Sequence, residues 1–268
     1  MGPLVYRSWT AAWGGAMFEH LAAWLPRCGA DVLCLQEVTR TPGLGGWTTF
    51  SDGERQLPQR ANLFDDVRQA FPRHQAHFLA SDAGPVATED DGVRQQEFGL
   101  AMYIDERLPL IGQTARFVHG AFVDHQQWAI TDRPRLAHAA RLVDRTANRT
   151  VTVVHLHGLR DPEGKHDTPA RRAQAEHLVR LIEQTRHPDD LTVVCGDLNL
   201  LPGSETFDLL AAVGLVDLVG TVDTRTSRYT KSVRHANYLL VSDVTAVKHF
   251  DAPGTPEVSD HRPLILDI

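Results

Sequence analysis

Strand-like and helix-like stretches alternate along this chain. Residues 30–35 form a nearly continuous apolar run, the pattern of a strand covered on both faces. Just before it, Phe18, Leu21, Ala22 and Leu25 recur at helical spacing, and Gly29 stops the pattern. Residues 98–104, 150–156, 191–195, 236–241 and 264–268 predict further strands. The clearest helix opens at Thr168, a good N-cap, with Pro169 at its first position. Its apolar face carries Ala175, Leu178 and Ile182, and it should end before Pro188. A second helix is expected from Ser204 to Gly214 with Phe207, Leu210 and Ala211 inward. Residues 41–60 and 81–97, rich in Gly, Pro and Asp, read as long loops of the kind that rim a site. Neither repeats nor linkers interrupt the pattern, so residues 1–268 read as one α/β domain.

Composition narrows the setting. The 268 residues hold 27 Lys+Arg against 34 Asp+Glu, a net charge of −7, which weighs against broad non-specific binding of nucleic acid. The three cysteines include no C-x-x-C pair, so neither a disulfide framework nor a cysteine zinc site is expected. No signal peptide and no membrane-length apolar run is apparent, which predicts a reduced, cytoplasmic protein without membrane contact. Arg133, Arg135, Arg141 and Arg145 cluster among acidic residues and read as a solvated surface.

Four segments place polar, proton-transferring groups at the ends of apolar strands, where open α/β sheets tend to bind ligands. In the first, Gln36-Glu37 follows residues 33–35, and Glu37 is a plausible ligand for a hard cation or an exposed carboxylate. In Gly196-Asp197-Leu198-Asn199, period-two geometry would aim Asp197 and Asn199 the same way, able to hold one water; an Asx turn fits the same residues. Ser259-Asp260-His261 sets a carboxylate beside an imidazole. His155 and His157, two apart on a strand, share a face.

Taken in order, Gln36-Glu37, His157, Gly196-Asp197-Leu198-Asn199 and Ser259-Asp260-His261 resemble the endonuclease/exonuclease/phosphatase family, with its deoxyribonuclease-I-like fold, over almost the whole chain. The resemblance implies a four-layer sandwich of two mixed β-sheets flanked by helices. It also implies phosphoester hydrolysis by in-line attack of water, dependent on Mg²⁺ or Mn²⁺. In those terms Glu37 and Asp260 would hold the metal, and Asp197 would deprotonate the water. Asn199 would hold that water and the phosphoryl group, His261 would donate to a phosphoryl oxygen, and His157 would stabilise or protonate the leaving group.

Two positions depart from the family's pattern. Thr10 stands where an Asn normally supports the metal carboxylate, and Asn237 where an Asp normally pairs with the histidine matching His261. His155 adds an unusual imidazole near the site, and Arg171, in the loop-to-helix connection after His157, could meet phosphate. These departures leave three readings: a phosphoesterase with an atypical site, the same fold running other small-molecule chemistry through His155, His157 and His261, or a binding module with a vestigial site. The expected partner is a phosphate-containing small molecule or a nucleic acid, and no obligate protein partner is implied.

Overall fold

The computed structural model describes residues 5–10, 15–54, 56–129, 131–161, 164–229 and 235–268; of residues 5–10 and 15–19 only the backbone is described. The larger of two sheets contains β1 (Val5–Thr10), β2 (Val32–Arg40), β3 (Trp47–Ser51), β4 (Gln56–Arg60), β5 (His74–Thr88), β6 (Val93–Asp105), β8 (Val123–Asp124), β14 (His249–Asp251) and β15 (Leu264–Asp267). Its order is β14-β15-β1-β2-β6-β5-β3-β4, with β8 added beside β5. The smaller sheet runs β12 (Val216–Asp217), β13 (Asn237–Val241), β11 (Leu191–Asp197), β10 (Arg149–His157), β9 (Arg135–Asp144) and β7 (Leu110–His119). Both are mixed: β1 runs parallel to β2 and β10 to β11, while most other neighbours are antiparallel.

Alternation along each strand dictates how the layers stack. In β2, Val32 and Cys34 join Met102, Ala137 and Val153 between the two sheets. Leu33 and Leu35 turn the other way, under Leu21 and Leu25 of the first helical segment and Leu63 and Val67 of α2 (Leu63–Ala70). The first helix, α1, is Gly15–Trp24. On the far face of the smaller sheet lie α3 (Pro169–Thr185) and α4 (Glu205–Ala212), which bury Leu178, Leu181, Ile182 and Leu210. The result is the expected four-layer sandwich of two mixed sheets flanked by helices.

The predicted helix signals hold in detail. Thr168 caps α3 by accepting from the Arg171 N–H, and Ser204 caps α4 by accepting from Thr206. Ala22 and Ala211 nevertheless face solvent, and the side chain of Phe18 lies outside the described residues. The two predicted loops are corrected. Residues 41–60 contain the hairpin β3–β4, and residues 81–97 belong to the long β5–β6 hairpin, paired from His74↔Asp105 to Ala87↔Val93. Cross-strand pairing overrides the turn-rich composition there, a non-local effect that composition does not carry.

Candidate active site

The ends of β2, β10 and β11 and the start of β13 open at one end of the sandwich, beside the turn 259–261 that leads into β15. Glu37 reaches this end through a β-bulge. The β2–β6 register shifts between Leu35 and Val38, and Glu37 has a left-handed φ of 57°. Strict alternation from Leu33 and Leu35 would send Glu37 under the helices. Because the bulge skips a step, Val38 takes that outer place and Glu37 turns toward the space between the sheets.

There carboxylates and imidazoles alternate. His157 Nε2 lies 3.9 Å from Glu37 Oε1 and 4.0 Å from Asp197 Oδ2. His261 Nε2 lies 3.9 Å from the same Asp197 oxygen and 3.8 Å from Asp260 Oδ2. The order Glu37, His157, Asp197, His261, Asp260 therefore encloses gaps longer than a hydrogen bond, room for oxygen atoms of water or substrate.

Electrostatics sharpens the roles. Burial, followed by the repulsion of Asp260 and Asp197, pushes the Glu37 carboxyl up to about 7, with Arg135 and Arg133 partly opposing. Asp197 is also disfavoured by burial, yet His261, His157, Lys165 and the Asn199 N–H hold it below the usual carboxylate range. Burial and the Arg135 guanidinium keep His157 well below the ordinary imidazole value, so it is neutral. Arg135 Nη1 lies 3.4 Å from His157 Nδ1. A guanidinium can only donate, so Nδ1 accepts and the proton sits on Nε2, facing Glu37 and Asp197.

The repulsion that raises Glu37 comes from Asp260 and Asp197, a charge that a divalent cation would relieve. Among the described residues no group of three or more side chains forms a metal cage by itself. Glu37 and Asp260 with water instead match the way Mg²⁺ binds through one or two carboxylates.

The remaining candidates divide. Asn237 is fully buried and its Oδ1 lies 2.7 Å from His261 Nδ1, the contact expected of the position. Asp197 ends β11, and the chain leaves the strand before Asn199. Asn199 takes a φ of 55°, its N–H donates to Asp197 Oδ1 at 2.9 Å and its amide to Gly158 O at 3.3 Å, an Asx turn at the site's edge. The Thr10 backbone pairs with Gln36 at the end of β1, and its side chain lies outside the described residues.

Two assignments are corrected. His155 shares a face with His157 but sits one rung deeper, fully buried and edge-on to His138 at 5.9 Å, so it meets no substrate. Arg171, 1% exposed, donates from its guanidinium to the carbonyls of Leu159, Gly164 and His166, and its burial keeps it from phosphate. The arginine cluster is corrected too. Arg133 forks onto buried Asp82, Arg141 onto buried Asp190, and Arg135 is buried inside the site. Sequence reading placed Arg135 on the surface: it begins its strand, whereas His157 and Asp197 end theirs. Tyr229, edge-on to His261 with ring centroids 5.5 Å apart, and Lys165, which donates to His235 O, were missed as well. Only the fold brings them near.

A sandwich of two mixed sheets flanked by helices, with carboxylates and imidazoles alternating at one end, defines a deoxyribonuclease-I-like architecture. The chain belongs to the Endonuclease/Exonuclease/phosphatase family, whose sequence profile matches residues 13–261. No curated protein matches it. Solved structures share the fold at low identity. An endonuclease/exonuclease/phosphatase from Bacteroides vulgatus is 16% identical with a TM-score of 0.67, covering 100% of this chain and 98% of its own. The mannosyl-6-phosphatase of Bacteroides thetaiotaomicron is 13% identical with a TM-score of 0.66, covering 98% of each chain. The human Nocturnin catalytic domain is 19% identical with a TM-score of 0.63, covering 99% of this chain and 93% of its own.

Proposed function

We propose that this protein is a phosphoester hydrolase dependent on Mg²⁺ or Mn²⁺, acting on a phosphate-containing small molecule or a nucleic acid. The observation that carries the reading is the alternating order of Glu37, His157, Asp197, His261 and Asp260, with spacings of 3.8–4.0 Å between successive polar atoms. Family membership and a phosphatase among the structural relatives support it.

Glu37 and Asp260 would hold the cation, which when bound neutralises phosphoryl charge. Asp197, ionised despite burial, accepts the proton of the attacking water as oxygen bonds to phosphorus. His157, neutral with its proton on Nε2, donates a hydrogen bond to the departing oxygen; it has no proton to give up cheaply, so that oxygen is protonated by solvent. His261 faces a phosphoryl oxygen, and Arg135 adds a fixed positive charge beside it. Asn237 in place of a carboxylate beside His261 favours a second reading, a scaffold retuned for other chemistry or reduced to binding.

The test is release of product from bis-p-nitrophenyl phosphate, a plasmid and a panel of phosphorylated metabolites, with Mg²⁺, Mn²⁺ or EDTA. Turnover is expected to vanish in EDTA and to fall by about 10³-fold in Asp197→Asn. Turnover indifferent to both would remove the proposal.

A further inference from the structure

A recess of about 370 Å³ opens beside His261. One wall is the turn carrying Asp223, Arg225 and Tyr229; the other carries Gly254, Glu257 and Arg262. The walls are sewn to the candidate site itself. Thr226 N donates to Asp260 O at 3.0 Å, Arg262 N to Thr224 O at 2.8 Å, and Arg225 forms a β-bridge with His261. Tyr229 belongs to both places: it lines the recess and sets its ring edge against His261. A group in the recess is thus adjacent to the phosphorus chemistry proposed at His261 and Asp197.

The lining has a definite chemistry. Among the described residues two carboxylates balance two guanidiniums, so no unopposed cation among them attracts a second phosphate. The Arg225 guanidinium covers the Tyr229 ring at 4.1 Å, which removes that face as a stacking platform for a base. Among the described residues no aliphatic side chain lines the cavity. Glu257 accepts from Ser227 N and Oγ, and Arg262 donates to the carbonyls of Arg225 and Ala252, bonds that hold the walls. Each carboxylate oxygen keeps a second lone pair, and Arg262 keeps N–H groups beyond those two bonds. A hydroxyl donates and accepts at once, so it pairs with both kinds of group.

We infer that this recess is a subsite for the compact, uncharged polyhydroxylated part of a sugar phosphate, held while its phosphate lies among Glu37, Asp197 and His261. The inference rests on the phosphoester hydrolase reading and narrows it to phosphomonoesters of small sugars. A cavity at the lower end of the range for small-molecule sites takes one such unit and excludes a polymer.

Gly254 supplies the test. The three nearest atoms that a Cβ there would meet all belong to the Arg262 guanidinium, at 3.6–3.8 Å, so Ala is tolerated while the longer Leu intrudes on the recess. Magnesium-dependent phosphate release is measured from glucose 6-phosphate, mannose 6-phosphate and p-nitrophenyl phosphate, with bis-p-nitrophenyl phosphate as the diester. The wild-type protein should prefer a hexose phosphate to p-nitrophenyl phosphate by at least about tenfold in kcat/KM. Gly254→Leu, and independently Glu257→Gln, should cut that ratio by about tenfold, mainly through KM, while Gly254→Ala keeps it. Equal use of all monoesters, cleavage of the diester alone, or a uniform loss on every ester in both variants overturns the subsite and leaves the hydrolase reading standing. Silence on every ester with either metal overturns both.

Discussion

At the residue scale, the exchange that matters most is Asn237. A carboxylate beside His261 Nδ1 would stabilise the imidazolium and set its tautomer; the carboxamide at 2.7 Å supplies no charge. Among the described residues the buried Asn237 Nδ2 also has no hydrogen-bond partner. In serine proteases the loss of the equivalent carboxylate lowers kcat by about 10⁴. Here other charges share the load, so Asn237→Asp is expected to raise kcat on the best phosphoester by about 10²-fold. A rate within a factor of a few of wild type, from initial-rate assays on both proteins, would show that Asn237 does not limit the site. Glu37 gives a second prediction. Its carboxyl, pushed up to about 7, must lose a proton to take a cation. Mg²⁺ affinity measured calorimetrically should therefore weaken about tenfold per pH unit below 7 and level off above it. Asp260→Asn removes the largest repulsion on Glu37, so it should shift that break to lower pH.

At the scale of elements, two close approaches hold the site together. Gly196 sits at φ 143°, and a Cβ there would fall 2.0 Å from Leu156 O on the neighbouring strand. Gly196→Ala should cost at least about 3 kcal/mol in denaturant unfolding, because backbone on β10 cannot move aside without parting His157 from Asp197. A near-native midpoint would mean that the pair of strands tolerates the intrusion. Arg171 is the other. It bonds three carbonyls of the segment that carries Lys165, whose charge bears on Asp197. Arg171→Met should cost about 2–3 kcal/mol and raise hydrogen exchange across residues 159–168. Loss of activity at unchanged exchange would argue for the direct phosphate contact that its burial excludes. Arg171 shows why such roles are hard to read: an arginine near a site reads as an anion binder until the fold shows it buried against backbone carbonyls.

At the scale of the whole molecule, the space between the sheets contains a row of imidazoles. His77 from the larger sheet lies 6.2 Å from His138, which lies 5.9 Å from His155 in the smaller sheet. Burial lowers all three, His138 to about 4 and His155 well below its ordinary value. The unfolded chain binds these protons near pH 6.5 and the folded one does not. Stability is therefore complete above about pH 6.5 and is lost as pH falls toward 4, with His138 alone contributing about 3 kcal/mol of that loss. Unfolding midpoints measured from pH 8 to 4 should fall over that window. His138→Gln should flatten the fall, and an unchanged slope would place the acid sensitivity elsewhere.

The sequence by itself determined the layered α/β plan, because apolar alternation, N-caps and glycine stops are local and act within a few residues. It also offered Glu37, His157, Asp197, Asp260 and His261 as candidates, through the resemblance of the short motifs that carry them to one family's pattern. Only the tertiary structure decided the rest. It sent Glu37 inward through a bulge, drew Arg135, Lys165 and Tyr229 to the site, and withdrew His155 and Arg171 from it. It also built paired strands from segments whose glycines, prolines and aspartates read as loops. In each case the cause is non-local: a side chain's direction and charge environment depend on partner strands tens of residues away, and spacing along the chain does not record them.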